Sequence, residues 1–193
     1  MINEFINEKV PLSGMTQKEL IDICAEYNES EFRGKQIFNW IYVNKVTDIQ
    51  KMVNLSKNFR NLLEKNFKIP SLALVKTNSS PSRKTSKYLF EISTGEKIES
   101  VLMEEGNRTT VCLSTQVGCA LGCTFCATAK MGFQKNLSVG EIVDQFLFLQ
   151  NTSKNRITNV VFMGMGEPFL NYEKVISSAE LLNRSDGINL GKG

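Results

Sequence analysis

Three of the five cysteines lie close together, at positions 119, 123 and 126 of the segment VGCALGCTFCAT. The chain contains no histidine, so a metal site at this segment lacks the commonest nitrogen ligand. Gly118 and Gly122 border the cysteines and allow the backbone to turn tightly around a bulky group. A cysteine cluster of this density indicates a metal or catalytic site more than a disulfide framework.

Two metal groups are compatible with this cysteine spacing. A structural zinc site takes four ligands, and Cys112 could supply the fourth. A [4Fe–4S] cluster held by Cys119, Cys123 and Cys126 leaves one iron open to a small-molecule ligand, which is a catalytic arrangement. The presence of three closely spaced ligands favours the iron–sulfur cluster, and zinc stays open as the alternative.

Positive charge is concentrated in one part of the chain, although the net charge of the whole is only +3. Residues 32–87, here called the basic block, contain twelve Lys or Arg and two Asp or Glu, a net of +10. Residues 1–31 carry a net −5, and residues 88–193 carry a net −2. Because clustered Lys and Arg neutralise phosphates, the block favours a nucleic-acid partner.

The aromatic residues of the basic block have two interpretations, stacking on unpaired bases or packing in a core. In FRGKQIFNWIY, Phe38 and Trp40 lie among apolar neighbours at near-helical spacing, which favours the core. The aromatics concerned are Phe32, Phe38, Trp40, Tyr42, Phe59 and Phe67.

The first seventy residues predict helices. Thr16 and Glu19 form a capping-box pair at the start of TQKELIDICAEY, in which Cys24 belongs to the apolar face. A second helix is predicted over GKQIFNWIYV and a third over SKNFRNLLEKNF.

The pattern changes after residue 76. The polar stretch TNSSPSRKTSK at 77–87 predicts a linker or loop. Three β-rich runs follow, KYLFEIS, KIESVLM and RTTVCLST, the first two joined by a turn at Gly95. Ser138 and Glu141 start a further helix, NVVFMG predicts a buried parallel strand, and NYEKVISSAELLN predicts the next helix. This alternation predicts an α/β fold.

We therefore expect a helical RNA-binding domain at residues 1–76, a linker and β-hairpin lead-in at 77–97, and a core domain at 98–193. No run reaches the roughly 18 apolar residues of a membrane span. The first residues, MINEFINEKV, contain no apolar signal stretch. A cytoplasmic protein without membrane contact is expected.

The segment CALGCTFC, with Phe125 before the last cysteine, resembles the signature of the radical S-adenosylmethionine (SAM) enzymes. Residues 98–112, 115–134 and 160–171 together resemble the dual-specificity RNA adenine-C2 methyltransferases of that superfamily. FRGKQIFNWIY resembles their small helical RNA-binding domain, and GEP at 166–168 favours them over their C8-methylating relatives.

This resemblance implies a [4Fe–4S] cluster on Cys119, Cys123 and Cys126, and SAM as cosubstrate, with its methionine moiety bound by Gly166 and Glu167. It implies as fold the first part of a partial (β/α)6 TIM-like barrel, and as substrates one adenine in 23S ribosomal RNA and one in tRNA. An electron donor such as flavodoxin or ferredoxin and a monomeric state are further expectations.

The resemblance also gives roles to Glu99 and Cys112. Without it, Glu99 would be interpreted as a solvated strand residue and Cys112 as a core thiol. Glu99 matches the proposed acceptor of the adenine C2 proton. Cys112 matches the cysteine that resolves the protein–RNA thioether by forming a disulfide with a methyl-carrying cysteine near the carboxy terminus of the family.

No cysteine follows Cys126, so the methyl-carrying cysteine has no counterpart in these 193 residues. We expect a fragment or a truncated gene product that holds about two βα units, leaves a sheet edge unpaired and does not methylate adenine by itself. The alternative from another class is a non-enzymatic zinc-containing RNA-binding protein. Other radical SAM enzymes are disfavoured by GEP and by the position of Cys112.

Overall fold

The computed structural model describes residues 9–82 and 84–191. Residues 1–8 and Arg83 lie outside the described residues. Residues 1–8 form most of the stretch in which no secretory signal is predicted, and Arg83 belongs to the basic block. The helices are α1 (Gln17–Glu26), α2 (Glu31–Tyr42), α3 (Lys57–Asn66), α4 (Val139–Thr152) and α5 (Tyr172–Asn183). The strands are β1 (Val10–Pro11), β2 (Phe67–Lys68), β3 (Leu72–Ser79), β4 (Thr85–Ile92), β5 (Lys97–Glu105), β6 (Arg108–Cys112), β7 (Gln116–Val117), β8 (Lys135–Asn136) and β9 (Asn159–Val161).

The amino-terminal helices form as predicted. The capping box at Thr16 starts α1, whose Leu20 and Cys24 are buried. Most aromatics of the basic block are core residues: Phe38, Tyr42, Phe59 and Phe67 are buried and Trp40 is half-buried. Phe32 differs, since 61% of its surface is exposed at the start of α2. The core interpretation is therefore confirmed for these aromatics except Phe32.

The main sheet has five strands in the order β3-β4-β5-β6-β9. The first four strands pair antiparallel. Strands β6 and β9 pair in parallel, and the chain between them contains α4. A helical unit followed by strand, helix, strand and helix confirms the predicted α/β class. The linker predicted over 77–87 is wrong at both ends, because β3 continues to Ser79 and β4 begins at Thr85. Polar side chains such as the bonded pair Ser79 and Ser86 hide this hairpin from a hydrophobic pattern.

The two faces of the sheet differ. Helix α4 covers one face, where the Gln145 side chain accepts a hydrogen bond from Ser100 Oγ (2.6 Å) and the Phe148 ring lies 4.9 Å from that of Phe90. Along β5 the residues of this face are buried and alternate with partly exposed ones. The partly exposed residues, which include Glu99, form the second face, here called the open face.

Strand β9 is parallel as predicted, but its predicted burial is wrong. All three of its residues are only half-buried. The physical reason is its place in the sheet, because among the described residues β9 pairs with β6 on one side only. No helix in the described ranges is both long and apolar enough to cross a membrane.

Residues 9–71, here called the amino-terminal unit, are docked on α4 by direct backbone contact. A Cβ atom added to Gly140 would lie 2.4 Å from the Ser13 carbonyl oxygen, so no larger residue fits there without a shift. One turn further on, Asp144 Oδ2 accepts hydrogen bonds from Ser13 Oγ (2.8 Å) and from the Ser71 N–H (2.6 Å). A buried carboxylate of α4 therefore holds two separate segments of the amino-terminal unit.

This carboxylate predicts a pH-dependent stability. Burial raises the pKa of Asp144, hydrogen bonds from Ser71 and Ser13 oppose the rise, and nearby Glu141 adds to it. The folded chain therefore binds this proton more tightly than the unfolded chain, whose Asp pKa is about 3.9. Its contribution to the free energy of unfolding is lost as pH rises from that value through the raised pKa.

We expect Asp144→Asn to remove this pH-dependent contribution. Urea unfolding across the acidic range should show the parent losing stability relative to the variant as pH rises. Asp22→Asn, at an exposed position of α1, is the matched control and should leave the pH profile parental. A difference between parent and Asp144→Asn that does not change with pH would contradict the prediction.

Candidate functional site

Two segments that carry or adjoin predicted site residues meet beyond the carboxyl end of β6. The segment that follows β9, residues 162–168, lies along residues 113–116, which follow β6. The Gly164 N–H donates to the Leu113 carbonyl (3.1 Å), and the Thr115 N–H donates to the Met165 carbonyl (2.8 Å). The two strand ends are thus joined by backbone hydrogen bonds.

The cysteines occupy a closed loop, residues 118–133, here called the cysteine loop. Its neck is the antiparallel pair β7–β8, in which Val117 is paired with Lys135. Gly118 has φ +71°, and a Cβ atom there would lie 1.7 Å from the Gly132 carbonyl oxygen. The two ends of the loop therefore approach more closely than any side chain at position 118 would allow.

The three thiols are accessible but dispersed. Cys123 is exposed, Cys119 and Cys126 are half-buried, and the intervening Phe125 is 91% exposed. Within residues 9–82 and 84–191, no group of three or more His, Cys, Asp or Glu side chains is arranged to hold a metal ion. The structure thus brings the cysteines into one loop but not around one point, and their role as cluster ligands stays a prediction.

The donor chemistry of the loop nevertheless fits an iron–sulfur cluster. Backbone hydrogen bonds from Ala129 and Thr128 lower the pKa of the Cys126 thiol, and the thiolate is the form that binds metal. Residues 118–133 contain no Asp, Glu or His, so soft thiolates are the only strong ligands the loop offers.

The Gly166–Glu167 pair lies next to the neck of the cysteine loop. Gly166 has φ +98° and lies against the side chain of Gln116. A Cβ atom added to Gly166 would lie 2.5 Å from the Gln116 Cβ. The Glu167 carboxylate accepts a hydrogen bond from the Phe169 N–H (3.0 Å) and caps the short 3-10 turn there. The structure brings this pair to the cysteine loop, while its predicted binding of methionine is untested.

Glu99 and Cys112 share the open face on adjacent strands. Cys112 pairs with Val101, two residues from Glu99, and such diagonal neighbours are about 7–8 Å apart. Glu99 forms an ion pair with Lys87 (2.9 Å). Burial raises the pKa of Cys112, although a backbone hydrogen bond from Met163 partly offsets this. Cys112 therefore contacts the segment that carries the Gly166–Glu167 pair.

Sequence reasoning missed two buried amides, Gln116 (1% exposed) and Asn171 (5% exposed). Gln116 Oε1 accepts from the Glu167 N–H (2.8 Å), and Gln116 Nε2 donates to Asn136 Oδ1 (2.8 Å). Asn171 Nδ2 donates to the carbonyls of Thr115 (2.8 Å) and Leu137 (2.9 Å). An available signal was the presence of a polar residue beside each motif, in TQVGC and in GEPFLN.

The closed neck predicts that Gly118→Ala opens the cysteine loop, whereas Gly122→Ala does not. No atom lies within 4 Å of a Cβ at Gly122, so this is the same substitution in open space. Overpacking at Gly118 should accelerate hydrogen exchange of the Gln134 amide, which bonds to the Val117 carbonyl (3.0 Å), by about tenfold or more. Equal exchange rates in metal-free Gly118→Ala and Gly122→Ala, measured by mass spectrometry, would refute this account of the neck.

Two family models match the chain. The Ribosomal RNA large subunit methyltransferase N-terminal domain matches residues 10–69, and the Radical SAM superfamily matches residues 113–191. The probable dual-specificity RNA methyltransferase RlmN of Thermotoga neapolitana is 43% identical over 93% of this chain and 52% of that protein. Its counterpart in Thermosipho melanesiensis is 45% identical over 90% of this chain and 51% of that protein.

A solved structure agrees with these matches. The crystal structure of a radical SAM methyltransferase from Sphaerobacter thermophilus superposes with a TM-score of 0.88 at 38% identity, over 94% of this chain and 54% of that one. The chain spans about half the length of the curated relatives it matches. The chain thus contains a match to the amino-terminal domain of the ribosomal RNA large subunit methyltransferases at residues 10–69 and to the radical SAM superfamily at residues 113–191, in a fold that it shares with a solved radical SAM methyltransferase.

Proposed function

We propose that this chain is part of a radical SAM enzyme that methylates C2 of one adenine in 23S ribosomal RNA and of one adenine in tRNA, through a methyl-cysteine intermediate. One observation carries the proposal: the cysteine loop and the Gly166–Glu167 pair are held together at the carboxyl end of β6, beside the face that bears Glu99 and Cys112. The names and matches of the relatives support the substrate class.

Cys119, Cys123 and Cys126 would hold a [4Fe–4S] cluster at the accessible surface of the cysteine loop. When bound, this group supplies one electron for the reductive cleavage of SAM. Glu167 would accept hydrogen bonds from the ammonium group of the cosubstrate, because a carboxylate is a strong acceptor for a cationic donor. Gly166 has no side chain to block that approach.

Glu99 would accept a proton from the substrate adenine, and Cys112 would resolve the thioether by a disulfide with a cysteine outside these 193 residues. Both side chains are partly exposed on the open face, and Cys112 accepts a hydrogen bond from the Met163 backbone in the segment after β9. The Lys87 ammonium, 2.9 Å from the Glu99 carboxylate, would orient that side chain on the open face.

The basic block would bind RNA through its Lys and Arg side chains at the phosphates, with residues 1–76 as the RNA-binding domain, 77–97 as the lead-in and 98–193 as part of the catalytic core. Cytoplasmic location, a monomeric state and an electron donor such as flavodoxin or ferredoxin complete the proposal.

Metal analysis tests the cofactor. After anaerobic reconstitution with iron and sulfide, the chain should contain about four iron and four sulfide per molecule. Cys119→Ala, Cys123→Ala and Cys126→Ala should each lose the cluster, since each removes one of three ligands. Cys112→Ala is the matched control and should retain it. Stoichiometric zinc without labile sulfide would refute the cluster and favour the zinc protein.

The salt dependence of RNA affinity tests the basic block. Lys35 and Lys84 are exposed, and Lys35 forms an ion pair with exposed Glu31 (2.7 Å). Arg33 donates to the Asn54 carbonyl (3.0 Å) and is a poorer test position. Lys35→Glu and Lys84→Glu should each weaken RNA binding and lower the slope of log affinity against log salt by roughly 0.7–0.9 for each phosphate that is no longer neutralised. Lys18→Glu, exposed on α1 outside the block, is the control. Parental affinity and slope in both variants would identify the block as a solubilising surface.

A further inference from the structure

Gln116 lies where the two halves of the proposed cosubstrate site meet. Its backbone belongs to β7, at the neck of the cysteine loop, and its side chain extends toward the segment after β9. There its amide oxygen accepts the Glu167 N–H, while its amide nitrogen donates to Asn136 in β8. One buried side chain thus contacts both strands of the neck and the Gly166–Glu167 pair.

The packing at Gly166 makes this contact close. Gly166 lies against the Gln116 side chain, and an added Cβ would meet its Cβ at 2.5 Å and its Cγ at 2.7 Å. The Gln116 side chain is therefore the surface on which the Gly166–Glu167 turn rests. A change in its shape or hydrogen bonding must move that turn, because the backbone has no side chain in between to absorb the difference.

The hydrogen bond to Glu167 is hard to replace. Gln116 is 1% exposed and Glu167 only half-buried, so an apolar residue at position 116 would leave the Glu167 N–H without a partner beside an apolar surface. Such an unpaired donor is unfavourable, and the turn would shift toward water to satisfy it.

We propose that Gln116 is a positioning residue that sets the distance between the cysteine loop and the Gly166–Glu167 pair, so that a single SAM molecule can contact both. This inference rests on the proposed function. It assigns no contact with SAM to Gln116 itself; the residue acts through the backbone of Glu167 and Gly166.

The test compares three variants of the full 193-residue chain after anaerobic reconstitution. Gln116→Leu removes both side-chain hydrogen bonds. Gln116→Glu keeps an acceptor for the Glu167 N–H and gives up the amide donor to Asn136 Oδ1. Gln134→Leu is the matched control, because Gln134 is exposed and its side chain makes no hydrogen bond to the described residues. The readouts are iron and sulfide content, equilibrium dialysis of labelled SAM, and hydrogen exchange of amides 165–171.

We expect Gln116→Leu to retain parental iron and sulfide while its Kd for SAM rises about tenfold or more and the Glu167 amide exchanges faster. Gln116→Glu should restore the Kd to within about threefold of the parent, and Gln134→Leu should match the parent. SAM binding by Gln116→Leu equal to that of a parent that binds SAM would overturn this inference alone.

Loss of iron and sulfide by Gln116→Leu would also overturn it, since Gln116 would then support the cysteine loop instead of its spacing from Glu167. Should Gln116→Leu not fold, Asn136→Ala at an exposed position removes the bond that anchors the Gln116 amide nitrogen, together with the bond from Asn136 Nδ2 to the Leu170 carbonyl (3.4 Å). A Kd for SAM equal to that of the parent would then overturn the inference. A parent that assembles its cluster but binds no SAM would overturn this inference, because the two parts that Gln116 connects would then not suffice to bind SAM; the proposed function would still be decided by the metal analysis above.

Discussion

The backbone of residues 113–116 is bonded on both sides, and the rest of the site depends on it. On one side the Gln145 side chain of α4 accepts the Ser114 N–H (2.8 Å) and donates to the Ser114 carbonyl (3.0 Å). On the other side the Met165 carbonyl accepts the N–H groups of both Thr115 (2.8 Å) and Gln116 (3.2 Å). Four residues thus connect the helix layer, the end of β9 and the neck of the cysteine loop.

Through α4 the same connection reaches the amino-terminal unit. Helix α4 begins directly after β8, with Ser138 as its cap, and Asp144 in its second turn binds Ser13 and Ser71. The unit that carries most of the basic block is therefore held on the helix that starts at the neck of the cysteine loop. A continuous path of backbone and buried hydrogen bonds runs from one to the other.

Much of this could be predicted from the sequence, because the relevant signals are local. The capping boxes at Thr16 and Ser138 and the cysteine spacing need only neighbouring residues. The β3–β4 hairpin was missed because its end is polar on both faces. The half-burial of β9 follows from its pairing on one side only among the described residues. The polar residue in TQVGC marks Gln116 as unusual, but the sequence does not identify its partner Glu167, 51 positions away.

The contact between Gly14 and Gly140 has a consequence for protein engineering. A glycine in a helix normally weakens it by about 1 kcal/mol relative to alanine. At Gly140 this loss of helix stability comes with a close contact between two backbones that a side chain would prevent. A Cβ atom added to Gly14 would lie 2.2 Å from the Gly140 nitrogen. The amino-terminal unit is consequently not an exchangeable module. Grafting it onto another protein requires a glycine in the first turn of the receiving helix, at the position equivalent to Gly140, even where the remaining surfaces match.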